Sequence, residues 1–201
     1  MLSYTPPIDD MMFTLRHVVG YDTAPSAQKL DLETLNAVLD EAGKLAAGVL
    51  APLNHVGDKQ GATWASGGVV TTAPGFRDAY AAYRAGGWNA VPFPETYGGQ
   101  GLPWAATFPI QEMWQSANMS FGLCPLLNQG AVEAILHHGS DVQKQKYLPK
   151  MVSGEWTGTM NLTEPGAGSD LGAIKTRAVR QRDGTYKIFG QKIFITYGEH
   201  D

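Results

Sequence analysis

The sequence predicts an α+β chain, all-helical over residues 1–152 and antiparallel β from residue 153 onward. Two observations carry this expectation. Up to Val152, apolar residues recur at intervals of three and four, the spacing that lays them along one side of a helix. From Ser153 the period shortens to two, and Gly, Pro and Asp-Gly turn residues punctuate the run. The change of period places a domain boundary between 1–152 and 153–201.

Residues 1–25, with Pro6, Pro7, Gly20 and Pro25, read as a loop carrying one short helical turn within Met11–Val19, where His17 is a packing residue. Leu30–Leu50 is the clearest helix: Leu32, Leu35, Val38, Leu39, Ala42, Leu45, Ala46 and Val49 form one stripe. Asp31 is its N-cap, and Pro52 is expected to stop it. Residues 52–75 are polar and glycine-rich, with a short hairpin or extended loop around Trp64 and Val69–Thr72. His55 and Asp58 lie there without the partner ligands a metal site needs, so no metal is expected. Phe76–Ala85 reads as a second helix closed by Gly86-Gly87, followed by a long loop from Trp88 to Gly101. A third helix spans 103–119, with Pro109 kinking it or marking its start and Met113, Trp114 and Met119 in the core. The apolar run Phe121–His138 ends in His137 and His138, which suit a helix C-terminus, and Ser140 or Asp141 caps Val142–Val152.

The β part holds four expected strands: Trp156–Thr163, Ile174–Arg182, Thr185–Phe189 and Gln191–Thr196, the middle two joined as a hairpin at Asp183-Gly184. Between the first two lies Thr163-Glu-Pro-Gly-Ala-Gly-Ser-Asp170. Gly166 and Gly168 can take positive φ and allow close approach to the backbone, and a loop of this kind presents N–H groups suited to an anion. Spacing alone leaves two readings open, an ordinary glycine turn between strands or a ligand-cradling loop.

Bulk properties narrow the function classes. A 201-residue chain with 43% hydrophobic residues and a mean hydropathy of -0.19 is long enough for a sizeable core. The formal net charge of -4 argues against a general nucleic-acid or membrane-surface binder. Cys124 is the single cysteine, which excludes an intrachain disulfide and suits a reducing compartment. No apolar run approaches the roughly 20 residues of a membrane span, and the acidic, Arg-poor start is neither a secretory signal nor a transit peptide. A cytoplasmic location is the expectation.

Thr163–Asp170, letter for letter, is similar to the flavin-binding signature of acyl-CoA dehydrogenases, and Gly190-Gln-Lys-Ile-Phe-Ile-Thr196 resembles that family's second flavin segment. The loop Pro94-Glu-Thr-Tyr-Gly-Gly-Gln-Gly101 and the run His138-Gly-Ser-Asp-Val-Gln-Lys-Gln-Lys-Tyr-Leu-Pro149 resemble the same family. The start Met1–Leu15, Ala51-Pro-Leu-Asn54 and Ser153–Met160 look like its longer branch, which includes 3-methylmercaptopropionyl-CoA dehydrogenases. One departure is Tyr197, where the family carries a small or amide residue and a phenol would crowd the flavin edge.

The resemblance implies an N-terminal helical domain, the start of an antiparallel β-barrel-like middle domain, and a C-terminal helical domain missing from these residues. It implies FAD as cofactor and α,β-dehydrogenation of an acyl-CoA thioester, with an electron-transferring flavoprotein as partner and a homo-oligomeric state. By resemblance Met160, Leu162 and Thr163 line the flavin ring and bond its pyrimidine edge, and Gly168 exposes backbone to the cofactor. Ser169 contacts both the flavin phosphate and the acyl-CoA pantetheine, Phe194 packs on the ring, and Thr196 turns a hydroxyl to N5. An alternating strand would set Phe194 and Thr196 on one face, and Trp156 offers a further flat apolar surface. The family's catalytic glutamate belongs to the C-terminal domain, so no catalytic residue is expected here and these residues alone are expected to be inactive. Glu164 and Asp170 are read as capping or solvated turn residues rather than bases. Two alternatives stand beside this reading: an acyl-CoA oxidase-like flavoenzyme and a non-catalytic interaction subunit.

Overall fold

The computed structural model describes residues 4–201, the side chain of Gln28 excepted. It divides into two compact units, one of residues 4–158 with Glu199–Asp201, the other Thr159–Gly198.

The first unit is helical. It contains α1 (Ile8–Phe13), α2 (Leu32–Leu45), α3 (Ala51–Gln60), α4 (Phe76–Ala85), α5 (Trp104–His138) and α6 (Asp141–Val152). A small antiparallel hairpin, β1 (Thr63–Ala65) with β2 (Val69–Thr71), lies between α3 and α4. The N-terminal segment is more helical than expected, since a π-turn over Thr14–Val18 extends α1. Asp31 caps α2 by accepting the Thr34 N–H at 2.8 Å, as its position before the apolar stripe predicts. Pro52 does not stop the chain. A π-turn over Ala46–Leu50 leads directly into α3, where Pro52 occupies the first turn and its missing N–H has no helical partner to lose.

The core is built from the facing stripes of α2, α4 and α5: Leu35, Leu39, Ala42 and Leu50 meet Phe76, Ala79 and Tyr83 and the α5 residues Ile110, Met113, Trp114 and Phe121. The Tyr83 ring meets Trp114 and Phe121 edge-on, each centroid 5.9 Å away. Met119, expected in this core, is exposed, because the helix breaks beside it. Pro109 leaves α5 helical, and the break falls instead at Asn118 (φ -160°, ψ 91°). Buried Asn118 uses its whole amide. Its Nδ2 donates to the Leu50 carbonyl at 3.1 Å, and its Oδ1 accepts the Phe121 N–H at 3.1 Å, capping the second half of α5.

A second cluster, Ala90, Phe93, Val132, Leu148, Met151 and Val152, joins the end of α5 to α6 and the Trp88–Gly101 loop. Ser140 opens α6 with a capping box to Gln143. Buried Asn89 and Asn128 both donate to the Met151 carbonyl, at 2.9 and 3.0 Å, and the Asn128 Oδ1 accepts the Gly158 N–H at 3.0 Å. Side chains thus fix the chain where α6 ends. Among the described residues no helix is long and apolar enough to cross a membrane.

The second unit contains one hairpin, β3 (Arg177–Arg180) paired antiparallel with β4 (Tyr186–Phe189), with Asp183 closing the turn by accepting the Thr185 N–H at 2.9 Å. The expected strands Trp156–Thr163 and Gln191–Thr196 are not regular strands. A single main-chain hydrogen bond, Ile193 N–H to the Thr163 carbonyl at 3.0 Å, joins them. The backbone gives the reason: Phe194 and Tyr197 have φ of 55° and 53°, left-handed values that end any extended run.

Candidate functional site

The glycine-rich stretch and the segment after β4 belong to the same unit and lie side by side. The Thr163–Ile193 bond and a hydrogen bond from the Thr159 hydroxyl to the Thr196 carbonyl set them antiparallel. Gly190 allows the close approach of the chain leaving β4 to Thr176, because a Cβ there would collide with Thr176, and its φ of 152° disfavours a side chain.

Glu164 opens the turn. Its N–H and carbonyl exchange reciprocal bonds with Ala167, at 3.1 and 3.0 Å, around Pro165-Gly166. Neither Gly166 nor Gly168 has positive φ, which corrects the conformational reason given above for those glycines. What they contribute is space: a Cβ on either would meet nothing within 4 Å. Among the described residues the N–H groups of Gly168 and Ser169 donate no hydrogen bond, nor do the Thr163, Ser169 and Thr196 hydroxyls. Asp170 accepts the Gly172 N–H at 3.0 Å, which starts the short helical turn Leu171–Ala173.

The apolar side chains of the two segments are exposed: Met160 at 61%, Leu162 at 39% and Phe194 at 86%. For Phe194 the left-handed backbone holds a whole ring away from its own unit. A left-handed backbone at a non-glycine residue has a cost of order 1–3 kcal/mol. The same conformation removes the shared strand face predicted for Phe194 and Thr196. Trp156 lies in the helical unit, its ring 4.5 Å from the Lys150 ammonium.

Glu164 departs most from its expected role. It is 6% exposed, neither a solvated turn residue nor a simple cap. One carboxylate oxygen accepts the Lys175 N–H at 2.8 Å; the other accepts the Thr176 N–H at 3.0 Å and the Lys192 ammonium at 2.9 Å. The nearby Thr176 hydroxyl, the Lys175 N–H and Lys192 hold its carboxyl at about 2, far below the usual carboxylate range. A carboxylate that acidic is a poor base. Lys192 in turn donates to the Leu162 carbonyl at 2.9 Å. Sequence reasoning passed over Lys192, although a lone lysine beside Ile193-Phe194-Ile195 signals that a counter-charge must be near.

Cys124 is buried, and burial pushes its thiol up to about 12, so it is neither nucleophile nor ligand. Among the described residues no group of three or more His, Cys, Asp or Glu could hold a metal ion.

A helical unit followed by a β unit with a glycine turn and an outward aromatic ring defines an α+β protein. Residues 32–155 match the acyl-CoA dehydrogenase N-terminal domain, and residues 159–200 match the acyl-CoA dehydrogenase middle domain. The chain belongs to the acyl-CoA dehydrogenase family. It is 44% identical over 203 residues to the 3-methylmercaptopropionyl-CoA dehydrogenase of Ruegeria pomeroyi, a match that covers 100% of this chain and 34% of that protein. The chain therefore spans about a third of the length of that curated relative. Among solved structures it resembles a chain described under the electron transferring flavoprotein of Acidaminococcus fermentans (TM-score 0.69, 32% identity, 82% of this chain and 40% of that one). It also resembles an acyl-CoA dehydrogenase of Bacillus anthracis complexed with FAD (TM-score 0.66, 25% identity, 80% of this chain and 26% of that one).

Proposed function

We propose that the protein to which these residues belong is an FAD-dependent dehydrogenase that converts an acyl-CoA thioester to the trans-2-enoyl-CoA. The carrying observation is the pairing of Leu162–Glu164, which lead into the glycine turn, with Lys192 and Ile193, with donors on the turn and an exposed ring at Phe194 left unspent. These residues fit the cofactor. The open space at Gly166 and Gly168 and the free N–H groups of Gly168 and Ser169 suit a diphosphate, while Met160, Leu162 and Phe194 suit a flat apolar ring. Thr163 and Thr196 supply hydroxyls for its polar edges, and Ser169 has a hydroxyl for both the flavin phosphate and the pantetheine arm of the substrate. When bound, the flavin supplies the acceptor for the hydride leaving the β-carbon.

The chain's own part is binding and orientation. Fixed donors position the cofactor and favour charge developing on the thioester. The α-proton must go to a base outside these residues, since Glu164 is too acidic and Asp170 is occupied by the Gly172 N–H. Residues 1–201 alone are then inactive. Domains of 1–152 and 153–201, a homo-oligomeric state, a cytoplasmic setting and an electron-transferring flavoprotein as acceptor complete the proposal. The Acidaminococcus fermentans likeness supports the acceptor. The test is anaerobic addition of acyl-CoA to the intact flavoprotein: bleaching of the flavin absorbance supports the reading, and a yellow protein that no acyl-CoA bleaches overturns it.

A further inference from the structure

We propose that Glu164 and Lys192 act as a positioning pair that fixes the register of the two flavin-contacting segments, an inference that rests on the flavin reading above. Three bonds cross between the segments within three residues of each. Lys192 holds the Leu162 carbonyl and the Glu164 carboxylate at 2.9 Å each, and between them Ile193 N–H reaches the Thr163 carbonyl at 3.0 Å. Thr163 is therefore bracketed, while Phe194 and Thr196 follow Lys192 by two and four residues.

The rest of the interface is thin, with no ladder to hold it. Beyond the Ile193–Thr163 and Thr159–Thr196 hydrogen bonds, register then comes from the charges. The Lys192 side chain is 22% exposed and that of Glu164 6%, so a slip of one residue would leave both ions desolvated and unpaired. Hydrophobic contact alone tolerates such a slip; a half-buried ion pair penalises it. The two backbone N–H groups from Lys175 and Thr176 keep Glu164 in place, which makes Lys192 the movable partner.

The test uses the intact flavoprotein and the variants Glu164→Gln, Lys192→Met, their double and Lys192→Arg, with FAD titrated well below the unfolding temperature. Each of the first two is expected to bind FAD about tenfold more weakly or worse, as loss of a charged hydrogen bond at a positioning point implies. Their visible circular dichroism should also shift from that of the wild type. The double variant should lose no more than the worse single one, and Lys192→Arg should recover most of the loss. The proposal is overturned if folded Lys192→Met holds FAD with unchanged affinity and unchanged dichroism. It is also overturned if Glu164→Gln and Lys192→Met both fail to fold, which would assign the pair to stability alone. A wild-type protein that takes up no FAD overturns the flavin reading, and with it this role.

Discussion

The two units of the chain treat their polar and apolar groups in opposite ways. In the helical unit buried amides are spent on the fold itself: Asn118 holds Leu50 and caps α5, and Asn89 and Asn128 share the Met151 carbonyl. Its core side chains are packed, with Leu35, Leu39 and Leu50 fully buried, although Trp64, Phe108 and Met119 are exposed. In Thr159–Gly198 the Thr163, Ser169 and Thr196 hydroxyls are unspent, and Met160, Leu162 and Phe194 face outward. The exception is the half-buried Glu164–Lys192 pair, whose charges hold each other at 2.9 Å. The contrast separates scaffold from site. On the proposed reading, the donors and the ring left unused around that pair serve binding.

Four substitutions or conditions test this contrast. The largest effect is expected in the scaffold. Leu39→Ala empties a fully buried position and should cost about 2–5 kcal/mol in denaturant unfolding, since α2 cannot collapse into the gap. Gly168→Val should do the opposite. Its stability should be unchanged, because a Cβ there meets nothing, while FAD affinity falls by about tenfold to a hundredfold in a fluorescence titration. A loss of stability with unchanged affinity would erase the distinction between the units. Ser140→Ala removes one half of the α6 capping box and should cost about 1 kcal/mol in thermal unfolding, with FAD affinity unaffected.

The smallest effect is confined to acid. The Glu164 carboxyl lies at about 2 in the fold, below the roughly 4.3 of an unfolded chain. Its depressed value contributes stability that is complete above about 4.3 and is lost as pH falls through that range towards 2. Acid unfolding followed by hydrogen exchange in Thr159–Gly198 should show this extra sensitivity, and Glu164→Gln should remove it.

Features written in local chemistry were legible in the sequence. Asp31 and Ser140 cap helices because their side chains reach N–H groups three residues on, and Asp183-Gly184 closes a hairpin by the same short-range logic. Pro52 misled, because whether a proline ends a helix depends on the turn before it, and the π-turn at Ala46–Leu50 has no sequence signature. The segment Gln191–Thr196 misled in another way. Its run Ile193-Phe194-Ile195 is rich in strand-forming residues, yet Phe194 takes a left-handed φ of 55° that composition does not signal. The positions named for flavin contact came from motif resemblance. Their free hydroxyls and exposed rings could not be read from spacing, and the Glu164–Lys192 bond, 28 residues apart, is a tertiary fact.

The most direct test of the site is amide hydrogen exchange on the intact protein, with and without FAD. The Gly168 and Ser169 amides, unpaired in the unit, should exchange fast without cofactor and slow markedly once FAD is bound. Exchange at both amides that stays fast while the protein is saturated with FAD would contradict the assignment of this turn to the flavin.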